Sequence, residues 1–270
     1  MNISVVVPSY KNPKYLDLCL HSLLHNLKGQ KPEIIVVLDG YPELSKDVIK
    51  KYENNISVLE FEENKGMPTA INYGVYNASN QWIMVLPEDI IVSKDWYEVL
   101  IDLISNTDNK SKIFSINLVE PLGPSIYKYI IKNYGITKEE FDIEKFWQEE
   151  ISFRKSPFIT EDGSTFPFLI RKKDFLRMGG FDADYPSPFV VDWDFFLKAE
   201  LNNIELLKYS GVNFYHFVSK STKNRNGYIE NPNERMQFFS GENKAAEYFE
   251  YKWGFKPLRD KNNKCCQFIS

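Results

Sequence analysis

The sequence predicts an α/β protein built on a doubly wound, mostly parallel sheet. Short apolar runs recur at residues 3–7, 33–38, 56–60 and 82–86, and each is followed by a segment with helical spacing of apolar residues. Continuous apolar strands alternating with amphipathic helices imply a sheet covered on both faces. Three of the runs end in turn or acidic residues: Pro8-Ser9-Tyr10, Asp39-Gly40 and Glu88-Asp89. In an open sheet these ends share one edge, and that edge is where ligands bind.

The elements follow in order. Ile-Ser-Val-Val-Val at 3–7 is a strand stopped by Pro8. Residues 15–27 carry Leu16, Leu20, Leu23, Leu24 and Leu27 on one stripe, a helix with one buried face. A second strand at 33–38 leads to a helix at 44–52 and a third strand at 56–60. Asn64-Lys65-Gly66 is a turn, and a helix at 68–78 begins with Pro68, whose missing N–H costs nothing in a first turn. The fourth strand at 82–86 precedes a helix at 95–104. No internal repeat interrupts this order, and no linker rich in Pro, Gly or Ser does either. Residues 115–158 are irregular, with helical pieces expected at 138–150. Regular structure resumes with a strand at 166–170, helices at 173–178 and 193–201, strands at 205–207 and 212–215, and a helix at 242–251 ended by Gly254. The polar last dozen residues are expected to be loosely held.

Composition bounds the function. A chain of 270 residues can bury a full core. Its 43% hydrophobic and 26% charged content is ordinary for a globular protein. The aromatic share, 15%, suits a sugar- or base-binding cleft, although most aromatic residues fill cores. A net charge of −4 argues against nucleic-acid binding through a general positive field. Cys19, Cys265 and Cys266 form no spaced pattern, so neither a disulfide framework nor a zinc site is expected, and the compartment reads as reducing and cytoplasmic. The N-terminus does not read as a signal peptide, and no run is long and apolar enough for a transmembrane segment. Peripheral membrane contact stays open.

Glu88 and Asp89 repel each other unless a cation or proton lies between them. Such hard oxygen ligands suit Mg²⁺ or Mn²⁺. Taken alone, a solvated acidic turn is an equal reading. Asp39 can accept a hydrogen bond from a base N–H and Tyr10 can pack on the ring, yet each alone reads as a turn residue. Asp192 and Asp194 flank Trp193, and an Asp there also reads as a helix N-cap. His216 follows an apolar run, where a lone histidine is more often structural.

Seven segments in order carry a resemblance. They are Ser-Val-Val-Val-Pro-Ser-Tyr-Lys-Asn (4–12), Glu-Ile-Ile-Val-Val-Leu-Asp-Gly (33–40), Asn-Lys-Gly-Met-Pro-Thr-Ala-Ile-Asn-Tyr-Gly (64–74), Leu-Pro-Glu-Asp (86–89), Arg-Met-Gly-Gly-Phe-Asp (177–182), Asp-Trp-Asp-Phe-Phe-Leu-Lys-Ala (192–199) and His-Phe-Val-Ser-Lys-Ser (216–221). Together they resemble family-2 glycosyltransferases of the GT-A fold, over residues 2–221. The resemblance implies transfer of a sugar from a nucleoside-diphosphate sugar, usually a uridine one, to a hydroxyl with inversion. It implies a divalent metal, Mn²⁺ or Mg²⁺, on the diphosphate. It places Pro8, Ser9, Tyr10, Asp39, Asn64, Gly66 and Glu88 on the nucleotide and Asp89 and His216 on the metal. Asp192 becomes the catalytic base, with Asp194 orienting it or touching the acceptor. Read from the residues alone, Ser219, Lys220 and Ser221 could contact phosphate, and Lys223 and Arg225 make the loop basic, which would suit a flexible flap over a diphosphate; a solvated loop is the competing reading.

The chain departs from the family pattern at four places. Leu38 replaces a common first aspartate, Pro87-Glu88-Asp89 replaces an Asp-X-Asp, Ile71 stands where an arginine is common, and Val191 where a glutamate often precedes the base. The competing reading is a catalytically weak GT-A domain that binds a nucleotide sugar or glycan. A nucleotidyltransferase ranks low, because residues 8–12 are not a glycine-rich basic loop. The expected organisation is a nucleotide-sugar half at 1–115, an acceptor-binding and catalytic half at 116–225, and a C-terminal helical extension at 226–270. That extension could pack on the domain, cover the acceptor or pair two subunits into a homodimer. The acceptor could be a glycan, lipid-linked or protein-linked.

Overall fold

The structure, a computed structural model, describes residues 1–25, 27–122, 130–161, 163, 165–217 and 232–257, with the backbone alone for 232–240 and 242. The proposed flap residues 219–225, Cys265, Cys266 and the polar last dozen lie outside the described residues.

Strands β1 (Ile3–Ser9), β2 (Glu33–Asp39), β3 (Ser57–Phe61) and β4 (Trp82–Val85) pair in parallel in the spatial order β3-β2-β1-β4. Helices α1 (Pro13–Leu24), α2 (Lys46–Tyr52) and α3 (Met67–Asn77) connect them. These four strands and three helices sit within a few residues of the periodicity reading, because each strand is a mostly apolar run between helical segments. The α3 helix lies so close to the sheet that a Cβ on Gly74 would come within 2.4 Å of Val6 Cγ1 and 3.0 Å of Val37 Cγ2. Only glycine allows that approach.

The second half holds the surprises. Strand β5 (Ile90–Ile91) and helix α4 (Trp96–Asn106) lead to β6 (Lys112–Glu120), a central strand inside the stretch read as irregular. Its apolar run is interrupted by Ser115 and Asn117, both buried. Each is satisfied: the Thr165 N–H donates to Ser115 Oγ at 3.1 Å, and Asn117 Nδ2 donates to Asn213 Oδ1 at 2.6 Å. Paired polar groups inside a strand erase its apolar signature.

Strand β9 (Phe168–Arg171) runs antiparallel between β4 and β6. The two strands expected at 205–207 and 212–215 are one strand, β10 (Glu205–His216), parallel to β6 with a register shift between Tyr209 and Asn213. Short β7 (Ile130–Ile131) and β8 (Ile159–Thr160) pair with β6 and β10, and the full order is β3-β2-β1-β4-β9-β6-β10-β5. The bulge is pinned from one side. Glu150, almost fully buried, accepts hydrogen bonds at Oε1 from the Asn213 N–H (2.7 Å) and Asn213 Nδ2 (2.9 Å). Arg154 NH2 then ties Glu150 Oε2 and Asp95 Oδ1 together, each at 2.6 Å.

Helices α5 (Ile143–Glu149), α6 (Lys172–Arg177), α7 (Val191–Leu201) and α8 (Pro232–Trp253) complete the fold. One core lies between the sheet and α1 and α4, and includes the free thiol Cys19. The other lies between the sheet and α3, α6 and α7. Ala245 and Phe249 of α8 are fully buried in that second core, so α8 packs on the sheet domain. Gly254, at φ +77°, ends α8 as expected, with its N–H bonded to Glu250 O at 2.8 Å. No described helix is long and apolar enough to cross a membrane.

Candidate active site

The C-terminal ends of β1, β2 and β4 converge on one cleft of about 250 Å³. Pro8, Ser9, Tyr10, Asp39, Asn64, Gly66 and Glu88, the seven residues assigned to the nucleotide, all line it, together with Met67, Pro87 and Pro188. Parallel strands bring these residues to one edge, although 80 positions separate the first from the last of the seven.

Asp39 is nearly fully buried and organises the far wall. Its Oδ1 accepts from the Lys65 N–H at 2.6 Å and its Oδ2 from Asn64 Nδ2 at 3.0 Å. Gly40, at φ +87°, makes this approach feasible, since a Cβ there would lie 2.6 Å from Asn64 N. Burial raises the Asp39 carboxyl, and the Lys65 and Gly66 N–H groups and the Lys65 charge offset part of the rise. A carboxylate has about four lone-pair sites, so Asp39 can hold the turn and still accept from a ligand.

Glu88 sits at the base of the cleft. Burial pushes its carboxyl up to about 8, the Asp89 charge adds to this, and Ser9, the Tyr10 N–H and Asn12 pull the other way. Glu88 Oε2, Ser9 Oγ and Asn12 Nδ2 are buried and complete no hydrogen bond among the described residues. Of these residues Glu88 and Ser9 line the cleft, and their orphaned oxygens are groups awaiting a polar partner. The pH dependence follows with a defined sign. Glu88 binds its proton more tightly folded than unfolded, so the resulting stability is complete below about 4.5 and is lost as pH rises through about 8. Glu88→Gln keeps the shape and has no proton to lose. It is expected to melt with wild type at about pH 4.5 and above it near pH 9, and melts in parallel across that range would contradict this burial cost.

Beside the cleft, the chain after β4 meets the end of β10. Ile90 pairs with His216, and the Phe217 N–H donates to Asp89 O at 3.1 Å. This brings His216 Nε2 to 3.7 Å from Asp89 Oδ2, while Nδ1 lies 2.7 Å from Glu120 Oε1. Burial lowers the His216 pKa, but the Asp89 charge and the Glu120 contact outweigh it, so the group is raised overall. Glu120 escaped the sequence reading because it ends β6, a strand whose pattern was hidden. Among the described residues, no group of three or more His, Cys, Asp and Glu is placed to hold a metal by itself. Asp89 Oδ2 and His216 Nε2, 3.7 Å apart, are close enough for one small cation to lie between them, with its other positions left to phosphate and water.

Asn72 of α3 clamps the turn that follows α6. Its Nδ2 donates to Phe181 O and its Oδ1 accepts the Phe181 N–H, both at 2.8 Å. Gly180, at φ +66°, has no room for a Cβ, which would lie 2.5 Å from Asn72 Oδ1. These contacts explain an Asn and a Gly-Gly-Phe that lie far apart in sequence. Pro188 then lines the cleft, and Val190 enters α7 at φ +54°. A left-handed β-branched residue is strained and persists only where its surroundings over-determine it.

Asp192 and Asp194 both lie in the first turn of α7, whose N-cap is Val190. Asp192 is partly exposed. Asp194 is fully buried and faces α8. Lys252 Nζ (2.7 Å) and Trp253 Nε1 (2.9 Å) reach its Oδ1, as does Tyr185 Oη (3.3 Å). These contacts anchor α8 to the start of α7. Two positions along a helix face different directions, so one of the two acids was bound to turn inward.

The family description "Glycosyl transferase family 2" matches residues 4–175. The chain belongs to that family. An uncharacterized glycosyltransferase of Rickettsia typhi is 25% identical over 80% of this chain and 62% of its own length. Glycosyltransferase GlyG of Streptococcus pneumoniae is 29% identical over 57% and 50%. The minor teichoic acid biosynthesis protein GgaB of Bacillus subtilis is 27% identical over 60% and 18%. The family 2 chain therefore spans less than two thirds of each of these relatives. Among solved structures, Staphylococcus aureus TarS 1–349 in complex with UDP-GlcNAc superposes at a TM-score of 0.56, with 19% identity, over 95% of this chain and 74% of that one. The mannosyltransferase PcManGT of Pyrobaculum calidifontis, in complex with GDP-Man and Mn2+, does so at 0.55, with 15% identity, over 95% and 66%. At such identities the family 2 chain shares a fold with these structures, the GT-A architecture.

Proposed function

We propose that this chain transfers a sugar from a nucleoside-diphosphate sugar, a uridine one first, to an acceptor hydroxyl with inversion. The observation that carries the reading is the convergence of the seven nucleotide-assigned residues on one cleft, with the Asp89–His216 pair beside it. UDP-GlcNAc in the TarS neighbour and GDP-Man with Mn2+ in PcManGT support the donor class. GgaB, a minor teichoic acid biosynthesis protein, supports a teichoic-acid-type polymer as acceptor.

Each residue has a part. Tyr10 packs on the base and Asp39 accepts from a base N–H. Asn64 and Gly66 shape the wall that receives the nucleoside. Glu88, kept protonated by burial near neutral pH, offers an O–H to an oxygen of the donor. Asp89 and His216 would hold a divalent cation, Mn²⁺ or Mg²⁺, which as a Lewis acid supplies charge stabilisation to the departing diphosphate. Asp192 takes the acceptor's proton as its oxygen attacks the anomeric carbon. One displacement from the face opposite the diphosphate inverts that carbon. Residues 1–115 form the donor half, 116–225 the acceptor half, and 226–270 an extension.

A second reading has one observation in its favour. Ile71 is fully buried, so the position where an arginine is common offers the diphosphate no charge. That fits a nucleotide-sugar binding module of low activity. Nucleotide release from a panel of UDP- and GDP-sugars with Mn²⁺ separates the two. Turnover of one donor, lost in Asp192→Asn, supports the transferase. Donor binding with background turnover in both proteins supports the module, and no binding of any donor rejects both.

A further inference from the structure

We infer that Glu120 is a positioning residue for a divalent cation at Asp89 and His216, acting through the imidazole without touching the ion. The inference deepens the metal part of the proposed function and rests on it. Glu120 ends β6 and His216 ends β10, two neighbouring parallel strands. Their side chains meet at 2.7 Å, Glu120 Oε1 against His216 Nδ1, and Glu120 is only 9% exposed.

A carboxylate only accepts, so the hydrogen in that contact belongs to Nδ1. In the neutral ring this leaves the lone pair on Nε2, the nitrogen that faces Asp89. Nε2 and Asp89 Oδ2 stand 3.7 Å apart, too far for a hydrogen bond and within the span of two ligands that each sit about 2.1 Å from one small cation. The His216 backbone is already fixed by its pairing with Ile90 and by the Phe217–Asp89 bond. The remaining freedom is rotation of the ring, and Glu120 removes it. A carboxylate behind a metal-binding histidine fixes its orientation and raises its basicity, and losing it typically costs about 10–100-fold in metal affinity.

The contrasting account makes Glu120–His216–Asp89 a plain charge chain that stabilises the strand ends. Mn²⁺ affinity separates the two, read by electron paramagnetic resonance or calorimetry on the full chain with UDP present. Glu120→Gln and Glu120→Ala are expected to bind Mn²⁺ about 10–100-fold more weakly. Metal-free UDP affinity and far-UV dichroism should stay as in wild type. In a His216→Ala background, Glu120→Gln should add no further loss, because its route to the ion is gone. Wild-type Mn²⁺ affinity in Glu120→Gln would overturn the inference, and so would an equal loss in the His216→Ala background. The Glu120→Gln arm decides the matter should the alanine variant not fold. If the wild type binds no Mn²⁺ and Asp89→Ala matches it, the metal assignment itself fails, and that result is distinct from a failure confined to Glu120.

Discussion

Asp192→Asn is expected to lower kcat by about 10²–10⁴-fold while leaving the donor KM within about twofold. The asparagine keeps the size of the side chain and cannot take the acceptor's proton. The donor cleft is built from β1, β2 and β4, so its affinity should not notice the change. Asp194→Asn provides the contrast from the same helical turn. Its Oδ1 is the buried meeting point of Lys252, Trp253 and Tyr185, so neutralising it should lower the melting temperature, with the loss of rate following the loss of folded protein. A kcat for Asp192→Asn within threefold of wild type, on a donor that wild type turns over, would remove Asp192 from the base role.

The largest expected effect on stability comes from Arg154→Met. The guanidinium joins Glu150 and Asp95 at 2.6 Å each, and Glu150 is 1% exposed. Removing one partner of a buried pair strands the other charge, at about 3–5 kcal/mol. The low end, about 3 kcal/mol, is expected here, because Asn213 still donates twice to Glu150. The methionine retains most of the apolar stem, so lost packing is a minor part. Urea unfolding measures the difference, and a change under about 0.5 kcal/mol would mean that the bulge in β10 is not held this way. The consequence reaches the site, since the bulge sets where β10 delivers His216 against Asp89.

What was legible in the sequence was whatever a single periodicity could carry. The strands at 3–9, 33–39, 57–61 and 82–85 are mostly apolar runs, and the ends of β1, β2 and β4 mark the donor edge directly. The β6 strand was not legible, because Ser115 and Asn117 sit inside it and are satisfied by partners far along the chain. The continuity of β10 was hidden by Ser210 and Gly211 at its bulge. Glu120 went unseen for the same reason as β6, since a site residue at a strand end is found only when the strand is. The sequence already set Asp192 apart from Asp194 as the candidate base, but the burial of Asp194 against α8 could be seen only once α8 was docked. Asn72 stood within a quoted motif, yet its contact with Phe181 lies 109 positions away and leaves no local trace.

The central claim is that the cleft at the ends of β1, β2 and β4 binds a nucleoside diphosphate together with a cation at Asp89. Calorimetric binding of UDP and GDP, with and without Mn²⁺, to wild type and Asp89→Ala tests it most directly. The account predicts that Mn²⁺ tightens one nucleotide in wild type and that this tightening is lost in Asp89→Ala. Binding of neither nucleotide under any metal condition, or Mn²⁺ tightening that persists unchanged in Asp89→Ala, would contradict it.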